Sequence, residues 1–394
     1  MASARRLLVG LAALVVAGCT GPVLANPVPQ QLPIVRPSPA PSRAPDPQPV
    51  VLPRDDAPHD RLTEWWYYTG HLVAADGRRF GFEDVIFRAE RGSFPVSWAS
   101  HLAITDESGQ RFLYDQRSEI GGPVDRSVAG AGFDLAIAGQ TIPGVPDVGV
   151  VPWTMTGSGG ADRLVAAGVA GSGPGAGDLG GTPMGLDLTL DGTAFQATLH
   201  DHDGYIDFGA AGGSYYYSRP KMTGTGTLTL GGETIPVTGA AWFDHQWGDF
   251  ISVGGGGWDW FAINLDDGVD LTLSLVRAAD GSYPLIYGTL TRPDGSTESL
   301  SRDAFTVEVT DSWVSEATGA TYPAGWRVTV PGEDLVVDLT PTVHAQELDT
   351  RRTTGVVYWE GSQVVTATRA GAPLSGEAYV ELTGYGPGLL ARTK

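Results

Sequence analysis

The nine residues Trp242-Phe243-Asp244-His245-Gln246-Trp247-Gly248-Asp249-Phe250 combine large aromatic rings, two aspartates and one of the chain's seven histidines. Gly254 to Gly257 and a second aromatic cluster, Trp258-Asp259-Trp260-Phe261, follow at once. Titratable groups held against apolar rings shift their pKa values, so the stretch is a candidate site. It is delivered by a hairpin. Met222 to Leu230 and Ile235 to Phe243 read as strands, and Gly231-Gly232 lies in the turn between them. The same device recurs. Asp76-Gly77 follows Thr63 to Leu72, Asp266-Asp267-Gly268 separates Asp259–Leu265 from Val269–Val276, and Pro293-Asp294-Gly295 follows Tyr287–Thr291. No segment carries a helical period. The chain therefore reads as all-β, with strands in each half sufficient to close an antiparallel barrel and so remove exposed sheet edges. A pair of β-sandwiches satisfies the same pattern.

Composition sets the bounds. The chain has 394 residues, of which 42% are hydrophobic, enough for two domains with real cores. Its 55 glycines and 28 prolines favour turns over long helices. A net charge of -20 argues against nucleic acid as a partner, because phosphates would be repelled. Cys19 is the single cysteine, so no intramolecular disulfide forms.

The N-terminus reads as an export signal. Arg5 and Arg6 precede an apolar run from Leu7 to Ala17, too short to span a bilayer. The run ends Val16-Ala17-Gly18-Cys19, which resembles a bacterial lipobox; in that resemblance, cleavage precedes Cys19 and its thiol carries a lipid. The expected organisation is a signal peptide over 1–18, a Pro-rich linker over 19–60, a first domain over 61–250 and a second over 251–394. The lipid would hold the protein on the bacterial membrane, outside the cytoplasm, and the linker would act as a semi-extended tether.

Candidate chemistry gathers around the opening stretch. Asp244, His245, Trp247 and Asp259 are the candidate catalytic residues. Glu64, Trp65, Trp66, Tyr67 and Trp258 are candidate contacts to an apolar ligand. His200 and His202 would share one face of a strand, but a third spaced ligand is missing and Asp203-Gly204 marks a turn, so no metal is expected. A Ser–His–Asp triad lacks its Gly-x-Ser-x-Gly elbow. Glu64 and Glu360 are a conceivable carboxylate pair of unknown separation.

Three stretches together resemble one family: Glu64-Trp65-Trp66-Tyr67-Tyr68-Thr69-Gly70, Trp242 to Gly248, and Tyr358-Trp359-Glu360-Gly361 with Gly376 to Tyr385. The resemblance is to the carotenoid 1,2-hydratase-like proteins, including AttH-type proteins, from about residue 61 onward. It implies two packed lipocalin-like barrels. It also implies a hydro-lyase that protonates a terminal alkene of a long apolar molecule and adds water, with no cofactor. A non-enzymatic hydrophobic-ligand-binding lipoprotein is the alternative. His245 and Trp247 match the family's His-x-Trp. The family's Tyr-x-Asp has no counterpart in Leu271-Thr272-Leu273-Ser274-Leu275, so another carboxyl must supply the acid.

Overall fold

The computed structural model describes residues 45–140, 149–171, 180–250 and 255–387. The expected signal peptide, Cys19 and most of the Pro-rich stretch lie outside the described residues. The first sheet comprises β1 (Thr63–Ala74), β2 (Arg79–Ala89), β3 (Ser97–Asp106), β4 (Arg111–Ile120), β5 (Phe133–Ile137), β6 (Trp153–Ser158), β7 (Ala161–Val169), β8 (Pro183–Asp191), β9 (Thr198–Leu199), β10 (Tyr205–Asp207), β11 (Gly213–Leu230) and β12 (Glu233–Gly248). The second comprises β13 (Gly255–Leu265), β14 (Asp270–Ala278), β15 (Leu285–Thr291), β16 (Thr297–Ser301), β17 (Thr306–Val314), β18 (Thr321–Val330), β19 (Leu335–Pro341), β20 (Glu347–Asp349), β21 (Val357–Arg369) and β22 (Ala372–Thr383).

Each sheet is a continuous antiparallel path, β4-β3-β2-β1-β12-β11-β8-β7-β6-β5 and β16-β15-β14-β13-β22-β21-β19-β18-β17. Each curls around its own apolar core, the first holding Trp66, Phe82 and Phe243, the second Phe261, Trp326 and Trp359. The protein is thus all-β, two lipocalin-like antiparallel barrels packed together. In the first barrel the end strands β4 and β5 meet through side chains. Arg117 Nη1 donates to the Ile137 carbonyl at 3.3 Å, and the Ala138 N–H donates to Glu119 Oε2 at 3.1 Å.

The turns form where the sequence places them. Gly231 and Gly232 sit alone between β11 and β12 with φ of 62° and 87°, a left-handed pair that suits glycine in a two-residue hairpin. Pro220 lies inside a long central strand, where its missing N–H would break a ladder. There the register of β11 on β12 shifts, between Arg219 and Met222. The irregularity is used for docking: the Pro220 carbonyl accepts from Asn264 Nδ2 at 3.0 Å, and Lys221 Nζ lies 2.9 Å from Asp270 Oδ2, both across to the second barrel. Gly81 permits another close approach, since a Cβ there would stand 2.6 Å from the Tyr379 hydroxyl.

One expectation is corrected. The linker was expected to run as a tether to residue 60, but residues 45–60 pack onto the first barrel. Asp56, in a 3-10 turn over Arg54–Asp56, is fully buried. Its Oδ1 lies 2.9 Å from Arg219 Nη2 and accepts from the Tyr217 hydroxyl, while Oδ2 accepts from the Gly159 N–H at 2.6 Å. Asp46 pairs with Arg61 at 2.6 Å and accepts from the Tyr215 hydroxyl at 2.8 Å. Prolines read as a spacer because they deny helix and sheet. These ion pairs instead fix the extended chain across the barrel. Asp56→Ala would leave the buried Arg219 guanidinium without its carboxylate, which costs about 3–5 kcal/mol. Denaturant unfolding should show a loss of that order.

Candidate active site between the two barrels

Strand β12 decides where the chemistry sits. Successive side chains on a strand face opposite sides. Trp242, Asp244 and Gln246 therefore face the second barrel, while Phe243, His245 and Trp247 face the first barrel's interior. The neighbouring strands follow in register. Tyr67 lies opposite Asp244 and Trp66 opposite His245 on β1, and Ser218 and Tyr217 take the same two places on β11. One motif thus serves two separate environments.

The interior environment is a hydrogen-bonded set. His245 Nε2 lies 2.9 Å from Glu64 Oε1, and His59 Nδ1 lies 2.7 Å from the same oxygen. His59 stacks on Trp247 at 4.0 Å, and Trp66 stacks on His245 at 4.7 Å. Burial pushes Glu64 up, but the His59 charge and the hydrogen bonds from both histidines outweigh it and hold the carboxyl at about 2. Burial pushes His245 down. His59 rises because the charges and hydrogen bonds of Glu64 and Asp55 exceed its own burial penalty. One donor atom from each of His59, Glu64 and His245 falls within 4.8 Å of the others, so this trio is the group that could hold a metal ion. Its separations are those of hydrogen bonds.

The facing environment is a cleft of about 110 Å³ between the barrels. Trp65, Tyr67, Phe87, Tyr216, Asp244 and Gln246 line it from the first barrel. Trp258, Trp260, Ser274, Val276, Tyr287 and Glu381 line it from the second, with Phe208 and Phe250 at its edge. Tyr67 meets Trp260 edge-on at 5.3 Å, which locks the two walls together. Two carboxyls face this aromatic space and no basic side chain does, among the described residues.

Asp244 is buried. Its Oδ1 accepts from Trp242 Nε1 at 2.7 Å and from the Ser218 hydroxyl. Its Oδ2 meets the Tyr216 hydroxyl, which also accepts from Trp260 Nε1 at 3.0 Å. Burial raises the carboxyl to about 7 against the opposing pull of these donors. The indole N–H can only donate, so Oδ1 is committed as an acceptor. A proton on Asp244 therefore belongs on Oδ2, beside Tyr216 and the cleft. Glu381, partly exposed to the cleft, accepts from Trp258 Nε1 at 3.1 Å. Burial, with the nearby Asp244 charge, raises it to about 7 against that hydrogen bond.

Behind the cleft lies a second carboxyl pair. Glu360 sits opposite Glu381 across β21 and β22 and accepts from the Tyr67 hydroxyl at 2.7 Å. Glu83 accepts from the Tyr358 hydroxyl at 2.7 Å, which in turn lies 2.8 Å from His101 Nδ1. Glu83 Oε2 and Glu360 Oε2 are both buried without a hydrogen-bond partner. Burial first, and then neighbouring carboxyl charges, push both acids well above the usual range. Neutral acids solve this arrangement, since two unpaired charges would be costly in such a place.

The structure brings Asp244, Trp65, Tyr67 and Trp258 together at the cleft. It separates them from His245, Trp247, Glu64 and Trp66, which face the barrel interior. Asp259 points to the far side of β13, where Tyr385 donates to it at 3.0 Å and Arg277 lies 3.4 Å away. Glu64 and Glu360 lie on opposite faces of β1 and do not form the conceived pair; Glu360 instead accepts from Tyr67, with Glu83 as a neighbouring buried acid. The His200-x-His202 pair divides too. His200 is buried between Thr289 (2.8 Å) and Ser218 (2.7 Å), while His202 lies in a turn with φ of 69°. His200, Ser218 and Asp244 do form a chain, but the Ser218 hydroxyl is spent on Asp244, which leaves no nucleophile. Sequence reasoning missed Tyr216, Trp260, Tyr287 and Glu381 as cleft residues. The alternation within Ser214–Ser218 and Ala378–Leu382 signals that each has two faces, but not which partner covers each face.

Two lipocalin-like barrels joined across an acidic aromatic cleft define a double-barrel, lipocalin-like protein. The profile of the AttH-like family matches residues 43–385, and the chain belongs to that family. A candidate AttH from Nitrosomonas europaea, solved by crystallography, is 29% identical, with a TM-score of 0.71 over 88% of this chain and 100% of that one. Kievitone hydratase from Nectria haematococca shares the fold at 16% identity, with a TM-score of 0.62 over 85% of this chain and 93% of that one. Dehydratase asqC of Emericella nidulans is 24% identical over 161 residues, 39% of this chain. The match spans under half (44%) of that relative's length.

The Glu83–Glu360 pair has a pH consequence. An acid raised on folding holds its proton in the folded state after the unfolded chain has lost it, so stability falls as pH rises. The loss begins near the unfolded value of about 4.5 and continues up to the raised folded value. Glu360→Gln keeps an acceptor for Tyr67 and removes the titration. Its melting temperature should fall less than the parent's between pH 5 and pH 9, roughly the window set by that linkage.

Proposed function

We propose that the protein is a hydro-lyase that adds water to, or removes it from, the unsaturated end of an apolar, isoprenoid-like molecule seated in the inter-barrel cleft. The observation that carries this reading is the pair Asp244 and Glu381, two carboxyls both raised to about 7 and facing one aromatic space. Near neutral pH such a pair can hold one acid and one base. In the hydration direction, Asp244 gives its Oδ2 proton to the less substituted carbon of the terminal double bond, with Tyr216 holding that oxygen in place. The π pair forms the new C–H bond and leaves a tertiary cation. The rings of Trp65, Trp258 and Trp260 stabilise that cation. A water oxygen then bonds to the cation and passes a proton to the Glu381 carboxylate, so the net change is one added water. Ser274 lies in the cleft on the strand where the resembling hydratases carry their Tyr-x-Asp, and Asp244 with Glu381 supplies carboxyls to the same space. The names of the hydratase and dehydratase relatives support this chemistry.

A second reading, a binding protein without turnover, draws on the predominantly aromatic lining of the same cleft. It does not extend to the first barrel's interior, which His245, Trp66 and Phe243 already fill. We also propose export and lipid anchoring through Cys19, supported by the Leu7–Ala17 run and the Gly18-Cys19 junction.

Incubation with an acyclic carotenoid in detergent and oxygen-18 water should yield a tertiary alcohol carrying the label. The rate should peak near neutral pH, because Asp244 must be protonated while Glu381 is ionised. Asp244→Asn should lower turnover by about 100-fold or more, the scale of a lost general acid. An unlabelled, unchanged substrate across acyclic carotenoids and prenylated phenols, with retained binding, would favour the carrier reading. For the anchor, palmitate labelling of cells should mark the parent protein and not Cys19→Ser.

A further inference from the structure

The cleft has an electrostatic asymmetry. Asp244 and Glu381 both reach it, and its lining holds no lysine, arginine or histidine among the described residues. Several buried carboxylates elsewhere in the molecule are matched. Asp56 has Arg219 at 2.9 Å, Asp270 has Lys221 at 2.9 Å, Asp259 has Arg277 at 3.4 Å, and Glu64 has two histidines. The cleft carboxyls have no such partner, and unlike the buried Glu83 and Glu360 they face an open aromatic space. Its walls are suited to an organic cation rather than a hydrated metal ion, because indole and phenol faces attract ammonium groups and offer few oxygens for coordination.

We propose that the inter-barrel cleft is a binding site for alkyl ammonium groups, tertiary or quaternary, with Trp65, Trp258 and Trp260 as the aromatic wall and Asp244 and Glu381 as counter-ions. The inference rests on the hydro-lyase reading for the placement of the charge. A tertiary ammonium has the shape and sign of the cation formed when a branched alkene is protonated. It goes beyond that reading in assigning a stable ligand class to the site, which can be measured without any turnover. The polar groups around Asp244 fit the role. Trp242, Ser218 and Tyr216 all donate toward its oxygens, so the ionised form is as well solvated as the neutral one once a cation stands opposite. Burial penalises that ionised form only while the cleft holds no positive charge.

The test compares hexyltrimethylammonium with its neutral near-isostere, hexyl tert-butyl ether, by calorimetry on the full chain. The ammonium should bind at least tenfold more tightly, and Glu381→Gln should reduce that preference to threefold or less while leaving the ether's affinity unchanged. Asp244→Asn should act in the same direction. Asp259→Asn, which lies on the far side of β13, should leave the preference intact and so controls for general loss of negative charge. Should Asp244→Asn fail to fold, the Glu381→Gln and Asp259→Asn pair decides the matter alone. Equal binding of the two probes, or binding of neither, overturns the inference. A strong ammonium preference in a protein that hydrates no alkene would sustain the binding site and refute the reaction.

Discussion

The pleat of one strand governs this molecule. On β12, Asp244 and His245 are neighbours in sequence, yet their side chains leave on opposite faces of the first barrel's wall. A shift of one residue in register would exchange the two sets, placing Asp244 among the rings of the core and His245 against the second barrel. Register is held on both sides by long ladders, to β1 over Thr63–Ala74 and to β11 over most of its length. The tight Gly231-Gly232 turn fixes where those ladders begin. The interior trio of His59, Glu64 and His245 depends on this register, and so does the cleft.

Packing a second barrel onto the outer face of β1, β2 and β12 turns that face into an interior. Tyr67, Glu83 and Asp244 point at Glu360, Glu381 and Trp260, and all of these but the partly exposed Glu381 are buried. Ordinary surface carboxylates in this setting become neutral acids or acids poised near neutrality. The energetic reason is the difficulty of burying a charge without a counter-ion. Glu64, on the interior side of the same wall, escapes this because His59 and His245 stand beside it. Glu64 and Glu381 thus differ in proton affinity in opposite directions, and a basic neighbour stands beside the first and not the second.

Much of the fold was legible in the sequence because its signals are local. The strands beside Gly231-Gly232, Asp76-Gly77 and Asp266-Asp267-Gly268 follow from alternation and turn chemistry, which act over a few residues. The site was legible only in part. The aromatic and acidic density of Trp242–Phe250 marked the right strand, and Asp244, Trp65, Tyr67 and Trp258 do meet at one cleft. What sequence could not supply was the far wall. Glu381 and Trp260 become cleft residues only because β22 pairs with β13 and that face docks on β1, contacts that span more than a hundred residues. The packed segment over 45–60 was misread for a related reason. Proline content reports what backbone cannot form, while the side-chain pairs Asp56–Arg219 and Asp46–Arg61 that hold the segment are long-range.

The location of the cleft follows from how the barrels are filled. A lipocalin-like barrel offers two places for an apolar ligand, its interior and its outer surface. Here the first interior is occupied by Trp66, Tyr68, Phe243 and Trp247 and is crossed by the Asp56 segment, and the second is packed with Phe261, Trp326 and Trp359. With both cups filled, a concave apolar space among the described residues lies at the junction, where rings from both barrels meet imperfectly because Asp244, Gln246, Ser274 and Glu381 interrupt them. Polar groups at a domain junction cost stability unless satisfied. In this junction each cleft carboxyl is satisfied by an indole N–H, from Trp242 or Trp258, a donor that cannot neutralise it. Hydrogen bonding without charge compensation is the condition under which a buried carboxyl keeps a proton near neutral pH and can still release it. A junction built this way binds the acid firmly and leaves its charge state open to whatever enters.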